Sequence, residues 1–242
     1  MKIFSIIAIF LVVLIMLSAC SNDNPTVPTI DYETEVNVFG LLILNRQQKT
    51  IRVEQTYKVT DYFPDFRGVE DAKVWIHSKT QNVQFEHLFN GNYSDRYQEL
   101  LLVAGEAYLL DITMANGKKI TSECVVPAPP QILSPNDNGA VTAFQALDVH
   151  WKRGEFSERY QIAVDDEFRN FKFSNYSDST YSHLFPFIFA KSGRYNLTIA
   201  SMDKNYWDHL RTGDSRQPVL NISGAIGVFG AIAYDKTVFY AY

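Results

Sequence analysis

Short segments of alternating apolar and polar residues run through much of the chain and are separated by turn residues. In IRVEQTYK (residues 51–58), apolar side chains would face one way and polar side chains the other. A period of two is typical of antiparallel β-strands with one buried face. The Asn-Gly dipeptide at 116–117 favours a hairpin turn between two such segments. The pattern predicts roughly seven strands between residues 32 and 126, and hence an immunoglobulin-like β-sandwich over 31–127.

A proline-rich segment then interrupts the strand pattern and predicts a domain boundary. Beyond it, YQIAV (160–164) and YNLTI (195–199) alternate again. A proline-led entry followed by these strands resembles a fibronectin III-like domain, so we predict a second sandwich over 128–242. The segment DKNYWDHLRTG is the one helical candidate, with Asp203 as N-cap and Gly213 as the stop. The prolines are Pro127, Pro129, Pro130 and Pro135.

The apolar run that ends the chain, residues 221–242, predicts closing β-strands and not a membrane span. Its two apolar parts fall short of the roughly 20 residues that a spanning helix needs, and its glycines disfavour a helix. The Asp235-Lys236 dipeptide between the parts predicts a turn. The tail should therefore fold as a pair of β-segments that closes the second sandwich.

The first 20 residues, MKIFSIIAIFLVVLIMLSAC, have a charged start, an apolar middle and small residues before a cysteine. This order predicts a secretory signal peptide over 1–19. LSAC also matches the bacterial lipobox, which makes Cys20 the lipidated first residue of the mature protein, carrying palmitate-like acyl chains. Several acyl chains hold a protein on a bilayer almost permanently. The alternatives are an uncleaved membrane anchor or an ordinary signal peptide.

The residues after the lipobox predict a tether and a location. The polar segment 20–30 contains prolines and indicates a lipidated linker without regular structure. Ser21 follows the cysteine, where an aspartate would typically retain a lipoprotein in the inner membrane. We therefore predict an outer-membrane lipoprotein that contacts the bilayer through Cys20. Either the periplasmic or the surface leaflet agrees with the sequence.

Charge and cysteine content exclude several classes of function. The chain has 22 Lys and Arg residues against 27 Asp and Glu residues, a formal charge of −5. Nucleic-acid partners require clustered basic residues, which this chain lacks, so no nucleic-acid binding is expected. With Cys20 lipidated, Cys124 has no partner for an intramolecular disulfide. Its position in an alternating strand favours a small buried apolar residue over a nucleophile.

Catalytic signatures are absent from the sequence. It has no nucleophile elbow, zinc-protease motif or phosphate-binding glycine loop, and its five histidines are scattered. We therefore predict no enzymatic activity, no cofactor and no metal site. The acidic run VDDEF (164–168) could bind calcium or form a turn. The acids are adjacent and do not alternate as ligands would, which favours the turn.

Aromatic residues are concentrated in two loop-like segments, 59–68 and 183–189. Such residues could form an exposed surface that binds a protein partner or stacks on sugars. Alternatively, the loops fold over the ends of the sandwiches and fill their cores. The candidate binding aromatics are Tyr62, Phe63, Phe66, Phe185, Phe187, Tyr206 and Trp207.

The chain resembles a known family in the order of its motifs. After the lipobox come VEDAKVWIHSKTQNVQFEHLFNGNY and AGEAYLLDITMANGKKITSECVVPAPPQI, then SMDKNYWDHLRT and NISGAIGVFGA. These segments are similar to those of the Gram-negative outer-membrane lipoproteins grouped as domain-of-unknown-function family 4249. The resemblance implies an Ig-like first domain and association with TonB-dependent outer-membrane transporters. It defines no catalytic residues.

These observations predict a lipid-anchored envelope protein that acts as an interaction module beside an outer-membrane partner. The alternative is a surface lipoprotein that binds glycans or other nutrients through its loop aromatics.

Overall fold

A computed structural model describes residues 34–57, 67–168, 171–213, 215 and 218–242. The predicted signal peptide, Cys20 and the tether lie outside the described residues, as do Tyr62, Phe63 and Phe66. Within the described ranges, no helix is long and apolar enough to cross a membrane.

The regular secondary structure of the described chain is almost entirely β. Its first half contains seven strands, which agrees with the alternating pattern of the sequence: β1 Val36–Ile43, β2 Thr50–Gln55, β3 Lys73–His77, β4 Asn82–Phe89, β5 Asn92–Ser94, β6 Ala107–Thr113 and β7 Lys119–Val125. The second half contains β8 Gln131–Ser134, β9 Gly139–Val141, β10 Leu147–Lys152, β11 Arg159–Asp166, β12 Lys172–Ser177, β13 Tyr181–Leu184, β14 Gly193–Met202, α1 Lys204–Thr212, β15 Ile222–Ser223 and β16 Ile226–Ala241.

The first half wraps around one hydrophobic cluster. Neighbouring strands follow the order β1-β2-β5-β4-β3-β6-β7, and their inward positions are buried. Ile51 and Val53 of β2 are fully buried, as the alternation predicts. Cys124 is also buried, which confirms its assignment as a core residue. This first cluster gathers residues from all seven strands.

The second half encloses a second cluster between two sheets. One face is formed by β12-β11-β14-β16 and the other by β13-β10-β8. Trp151 of β10 packs edge-on against Tyr160 of β11, with 5.5 Å between ring centroids. The all-β sandwich architecture predicted from the sequence is therefore present.

The last strand, β16, is continuous, and the predicted turn at Asp235-Lys236 is wrong. Both residues lie in the ladder, opposite Ile199 and Thr198 of β14. The Asp235 carboxylate accepts a hydrogen bond from the Ile132 amide at 2.8 Å. The acidic residue thus satisfies a neighbouring backbone group and does not reverse the chain.

β16 also joins the two halves. From Ile226 to Ile232 it pairs in parallel with β1, and from Ile232 to Ala241 it pairs antiparallel with β14. Residues before and after Ile232 therefore contribute to different cores. The predicted assignment of all of 128–242 to the second sandwich is wrong for Ile222, Phe229 and Ala231, which pack in the first cluster.

The predicted helix is confirmed, with its predicted ends. Asp203 is the N-cap and accepts a hydrogen bond from the Tyr206 amide at 2.9 Å. Gly213 is the C-cap. The helix packs closely on β16, because a Cβ at Gly230 would lie 2.9 Å from the Tyr206 Cβ. A glycine at this position permits that approach.

The buried N-cap predicts a pH-dependent contribution to stability. Burial raises the pKa of Asp203 from 3.8 to about 6, against the opposing effect of its backbone hydrogen bonds. Between pH 4 and 6, the folded chain retains a proton that the unfolded chain releases. The stability from the neutral carboxyl is thus present below pH 4 and is lost as the pH rises through 6.

Asp203→Asn should remove this dependence while keeping a good cap. We expect the unfolding free energy of the native protein, relative to that of the variant, to fall by about 2 kcal/mol between pH 4 and 7. Urea unfolding of both proteins across this range measures the difference. A constant difference would show that folding does not shift the pKa of Asp203.

Candidate functional site

The strand pairing separates two ends of the molecule. Asn37, near the start of β1, pairs with Ile226, and Gly193 pairs with Ala241 at the other end of β16. β16 has 16 residues, and a strand of that length spans about 50 Å. We call the end at Gly193 and Ala241 the distal end, because it lies farthest from where the described chain begins.

Aromatic side chains emerge at the distal end between β13 and β14. Pro186–Phe189 forms a 3₁₀ turn with Pro186 at its start, where the fixed φ of proline suits a helical turn. The turn exposes Phe185 and Phe187 and buries Ile188 and Phe189. Both alternatives predicted for the segment 183–189 therefore hold in part. Some of its residues form an exposed surface, and others fill the core.

The two exposed rings stack on each other. Phe185 and Phe187 have centroids 6.0 Å apart and planes inclined by 10°, and they are 52% and 59% exposed. The His183 ring meets Phe185 edge-on at 5.7 Å. Phe187 also meets Phe173 of β12 edge-on at 6.4 Å. We call these two rings the Phe185–Phe187 pair; they form a preorganised apolar surface.

A cleft lies beside this pair. Its volume is about 200 Å³, and its lining includes Phe171, Phe187 and Tyr195 together with Asp166 and Lys191. The Tyr195 hydroxyl donates to the Lys191 carbonyl at 2.8 Å, and burial raises its pKa. One carboxylate and one ammonium group at an aromatic wall suit a small polar ligand with an apolar face.

A second cleft adjoins the first. It has a volume of about 240 Å³ and shares Asp166, Lys191 and Tyr195 with it. Phe168 forms part of its wall and is 77% exposed. The sequence analysis missed Phe168, although it ends the acidic run at the tip of β11.

The acidic run agrees with the predicted turn only in part, because Asp165 and Asp166 end β11 and the turn begins at Glu167. Asp166 Oδ1 accepts a hydrogen bond from the Phe171 amide at 3.1 Å, and Asp165 Oδ2 accepts one from the Asn196 side chain. Among the described residues, no group of three or more His, Cys, Asp or Glu side chains could hold a metal ion.

Tyr206 and Trp207 do not extend the Phe185–Phe187 pair. Both lie on α1, and Trp207 meets Tyr176 of β12 with centroids 5.4 Å apart. The Arg159 guanidinium lies over the Trp207 ring at 5.0 Å. Tyr206 is half-buried, and burial raises its pKa. The predicted aromatics thus form two separate groups. The group on α1 also includes Tyr176 of β12, which the sequence did not single out.

A polar group on the outer face of β10 and β13 was also missed. Asp148 Oδ1 lies 2.7 Å from His183 Nδ1 and accepts the Tyr181 hydroxyl hydrogen bond at 2.8 Å. The hydrogen bonds from His183 and then Tyr181 lower the pKa of Asp148. The three residues are separated in sequence by up to 35 positions, so only strand pairing brings them together.

Comparison with known proteins identified one family and several structures of similar type. A family model described as "Domain of unknown function (DUF4249)" matches residues 23–237. No curated protein matched the sequence. Fibronectin(III)-like modules of Clostridium thermocellum CbhA match at 11% identity and a TM-score of 0.31, with 86% of this chain and 94% of that chain covered.

Two further structures match similarly. A two-domain fibronectin type-III segment of chicken tenascin has 12% identity and a TM-score of 0.26, with 71% of this chain and 92% of that chain covered. A cytokine receptor complex has 9% identity and a TM-score of 0.31, with 84% and 94% covered.

Proposed function

The chain belongs to the DUF4249 family, and from that premise we propose that it is a non-enzymatic, lipid-anchored interaction module of the cell envelope. In this proposal, Cys20 carries the lipid and holds the protein at the outer membrane. The chain forms two tandem sandwiches, Ig-like and fibronectin III-like, that share β16. The distal end contacts a protein partner, for which an outer-membrane transporter of the TonB-dependent type is our candidate.

The observation that carries the proposal is the position of the Phe185–Phe187 pair. The pair lies at the distal end, about 50 Å along a 16-residue strand from where β1 begins. Aromatic side chains, Phe among them, are enriched at the cores of protein interfaces.

The polar groups of the second half support a binding role over catalysis. Asp148, His183 and Tyr181 lie on an exposed outer face, where water screens their charges. A catalytic acid or base gains its perturbed pKa from burial or from a charge partner in a cleft, whereas the pKa of Asp148 is lowered and its carboxylate stays ionised.

The test is recovery of an envelope partner by full-length protein extracted from membranes in detergent. We expect the double variant Phe185→Ala, Phe187→Ala to recover about tenfold less of that partner, which corresponds to losing about 1.4 kcal/mol. Phe89→Ala is the matched control, because Phe89 is 66% exposed but lies on β4 in the first half. Equal recovery by the double variant and the control, or no partner with the native protein, would refute the proposal.

A second candidate function is glycan or nutrient binding, and the cleft beside Phe187 favours it. Its aromatic wall and its two charged groups, Asp166 and Lys191, could stack on a sugar and bond its hydroxyl groups. Binding to a glycan array that Phe187→Ala abolishes and Trp207→Ala leaves intact would support this function, because Trp207 lies outside the cleft. No binding by the native protein would exclude it for the glycans on the array.

A further inference from the structure

Strand β12 ends the large sheet. It pairs with β11 on one side, and it is the terminal strand in the described sheet order. One row of its backbone amides and carbonyls therefore faces away from the ladder. Its residues Lys172, Ser174, Asn175 and Tyr176 are exposed.

Proteins usually protect such edges with proline, charge or short length. Between Lys172 and Asp178, β12 carries neither a proline nor a charged residue. Its six residues exceed the four of β8 or β13 and the two of β15, the other strands at the ends of the described sheet orders. β12 is thus the longest terminal strand in this part of the structure and has little protection.

One outward-facing backbone amide of β12 already donates a hydrogen bond to a side chain of its own strand. The Tyr176 amide donates to Asn175 Oδ1 at 2.8 Å. A side-chain acceptor of this kind substitutes for the carbonyl of a neighbouring strand. A strand added at this edge could supply the carbonyl in its place.

The two groups of aromatics flank this edge on opposite faces. Phe173 pairs with the buried Val164 and contacts Phe187 on the core side. Tyr176 pairs with Gln161 and contacts Trp207 on the outer side. An added strand would place alternate side chains next to each group, because successive residues point to opposite faces.

We propose that β12 accepts an extended segment of a partner protein as an additional β-strand. Only an extended polypeptide presents amides and carbonyls at the spacing of the free edge, and apolar side chains at alternate positions would meet the flanking rings. Charge defines the ends of the segment. An antiparallel occupant carries an acid opposite Lys172, a base opposite Asp178 and no charge between them.

This inference deepens the proposed function and rests on it for the choice of occupant. Antiparallel pairing of β12 with a second copy would also place Lys172 opposite Asp178. However, the same register would place the polar Ser177 of the second copy opposite Phe173, and its polar Ser174 opposite Tyr176. A strand from a different envelope protein can place an apolar side chain opposite Phe173.

Fluorescence anisotropy of labelled peptides on purified full-length protein in detergent tests the proposal. The probe is the peptide KVTVTVE, and its control is KVTVPVE, in which proline lies opposite Ser174 and removes a donor to the outward-facing edge of β12. We expect the control to bind at least about tenfold more weakly.

Two variants locate the binding. Ser174→Pro should reduce binding of KVTVTVE by about tenfold or more, while proline at an outward-facing edge amide leaves the fold intact by circular dichroism. Lys172→Glu should instead prefer KVTVTVK over KVTVTVE.

Equal binding of both peptides, no binding at millimolar concentration, or no effect of Ser174→Pro would overturn the inference. So would a concentration-dependent dimer of the native protein that Ser174→Pro abolishes, because the occupant would then be a second copy. These measurements need no envelope partner, so their failure would leave the test of the Phe185–Phe187 pair standing.

Discussion

Deletion of residues 221–242 is expected to unfold both hydrophobic clusters and not only the second. The deletion removes β16, which pairs with β1 in the first half and with β14 in the second. It also removes Phe229 from the first cluster and Phe239 from the second, and both side chains are fully buried. Loss of one buried Phe side chain alone costs about 3–5 kcal/mol, and a domain's whole stability is about 5–15 kcal/mol.

Circular dichroism and urea unfolding of the truncated protein measure this effect. Deletion of Tyr242 alone is the control, because Tyr242 is 72% exposed and lies beyond the strand. Palmitate labelling of Cys20 should persist in the truncated protein, since the proposed anchor is at the other end of the chain. A truncated protein whose first half still unfolds cooperatively at its original urea midpoint would contradict the shared-strand account.

Among Gly→Ala substitutions in residues 221–242, Gly227→Ala is expected to cause the largest loss of stability. Gly227 has φ of +113°, and a Cβ there would lie 2.0 Å from the Val38 carbonyl oxygen of β1. Backbone cannot move away as a flexible side chain can, so the parallel pairing of β1 and β16 would have to break locally. We expect the free energy of unfolding to fall by about 4 kcal/mol.

Gly117→Ala separates conformational strain from the clash. Gly117 has φ of +82° in the β6–β7 hairpin, and a Cβ there meets nothing within 4 Å. That variant should lose only about 1–2 kcal/mol, the cost of a left-handed conformation for alanine. Equal losses in urea unfolding for the two variants would mean that strain alone accounts for Gly227, and that its contact with Val38 is unimportant.

β16 connects the distal end to the first half of the molecule. Because one continuous ladder runs from the β1 pairing to the distal end, the Phe185–Phe187 pair is connected to the start of the described chain through backbone hydrogen bonds. Contacts of α1 reinforce the connection, since the Asn205 side chain donates to the carbonyls of both Glu123 and Phe229. A distal surface held in this way loses little conformational freedom when it binds a partner.

Features controlled by nearby residues were predicted well. The alternation of β2, the hairpin at Asn116-Gly117 and both caps of α1 depend on side chains and dihedral preferences within a few positions. The structure agrees with each of them. The Asp235-Lys236 turn failed because a local preference was outweighed by the ladder with β14, which pairs with both residues.

The candidate site was predicted only in part for the same reason. The segment 183–189 was recognised as aromatic-rich, but its composition could not separate the exposed Phe187 from the buried Phe189. Proline placement and packing against Tyr195 and Phe239 decide that difference. Trp207 was grouped with the wrong neighbours, because only the folded chain places α1 beside β12.

By itself, the sequence determined the β-strand class, most strand positions, the helix and the family, because periodicity and capping act over a few residues. Only the tertiary structure decided that one strand serves two cores, that the aromatics divide between two faces of β12, and that β12 ends the described sheet order. These properties depend on pairings between residues up to about 190 positions apart, such as Asn37 with Ile226. Such pairings are set by the total burial and hydrogen bonding of the folded chain, which no local pattern encodes.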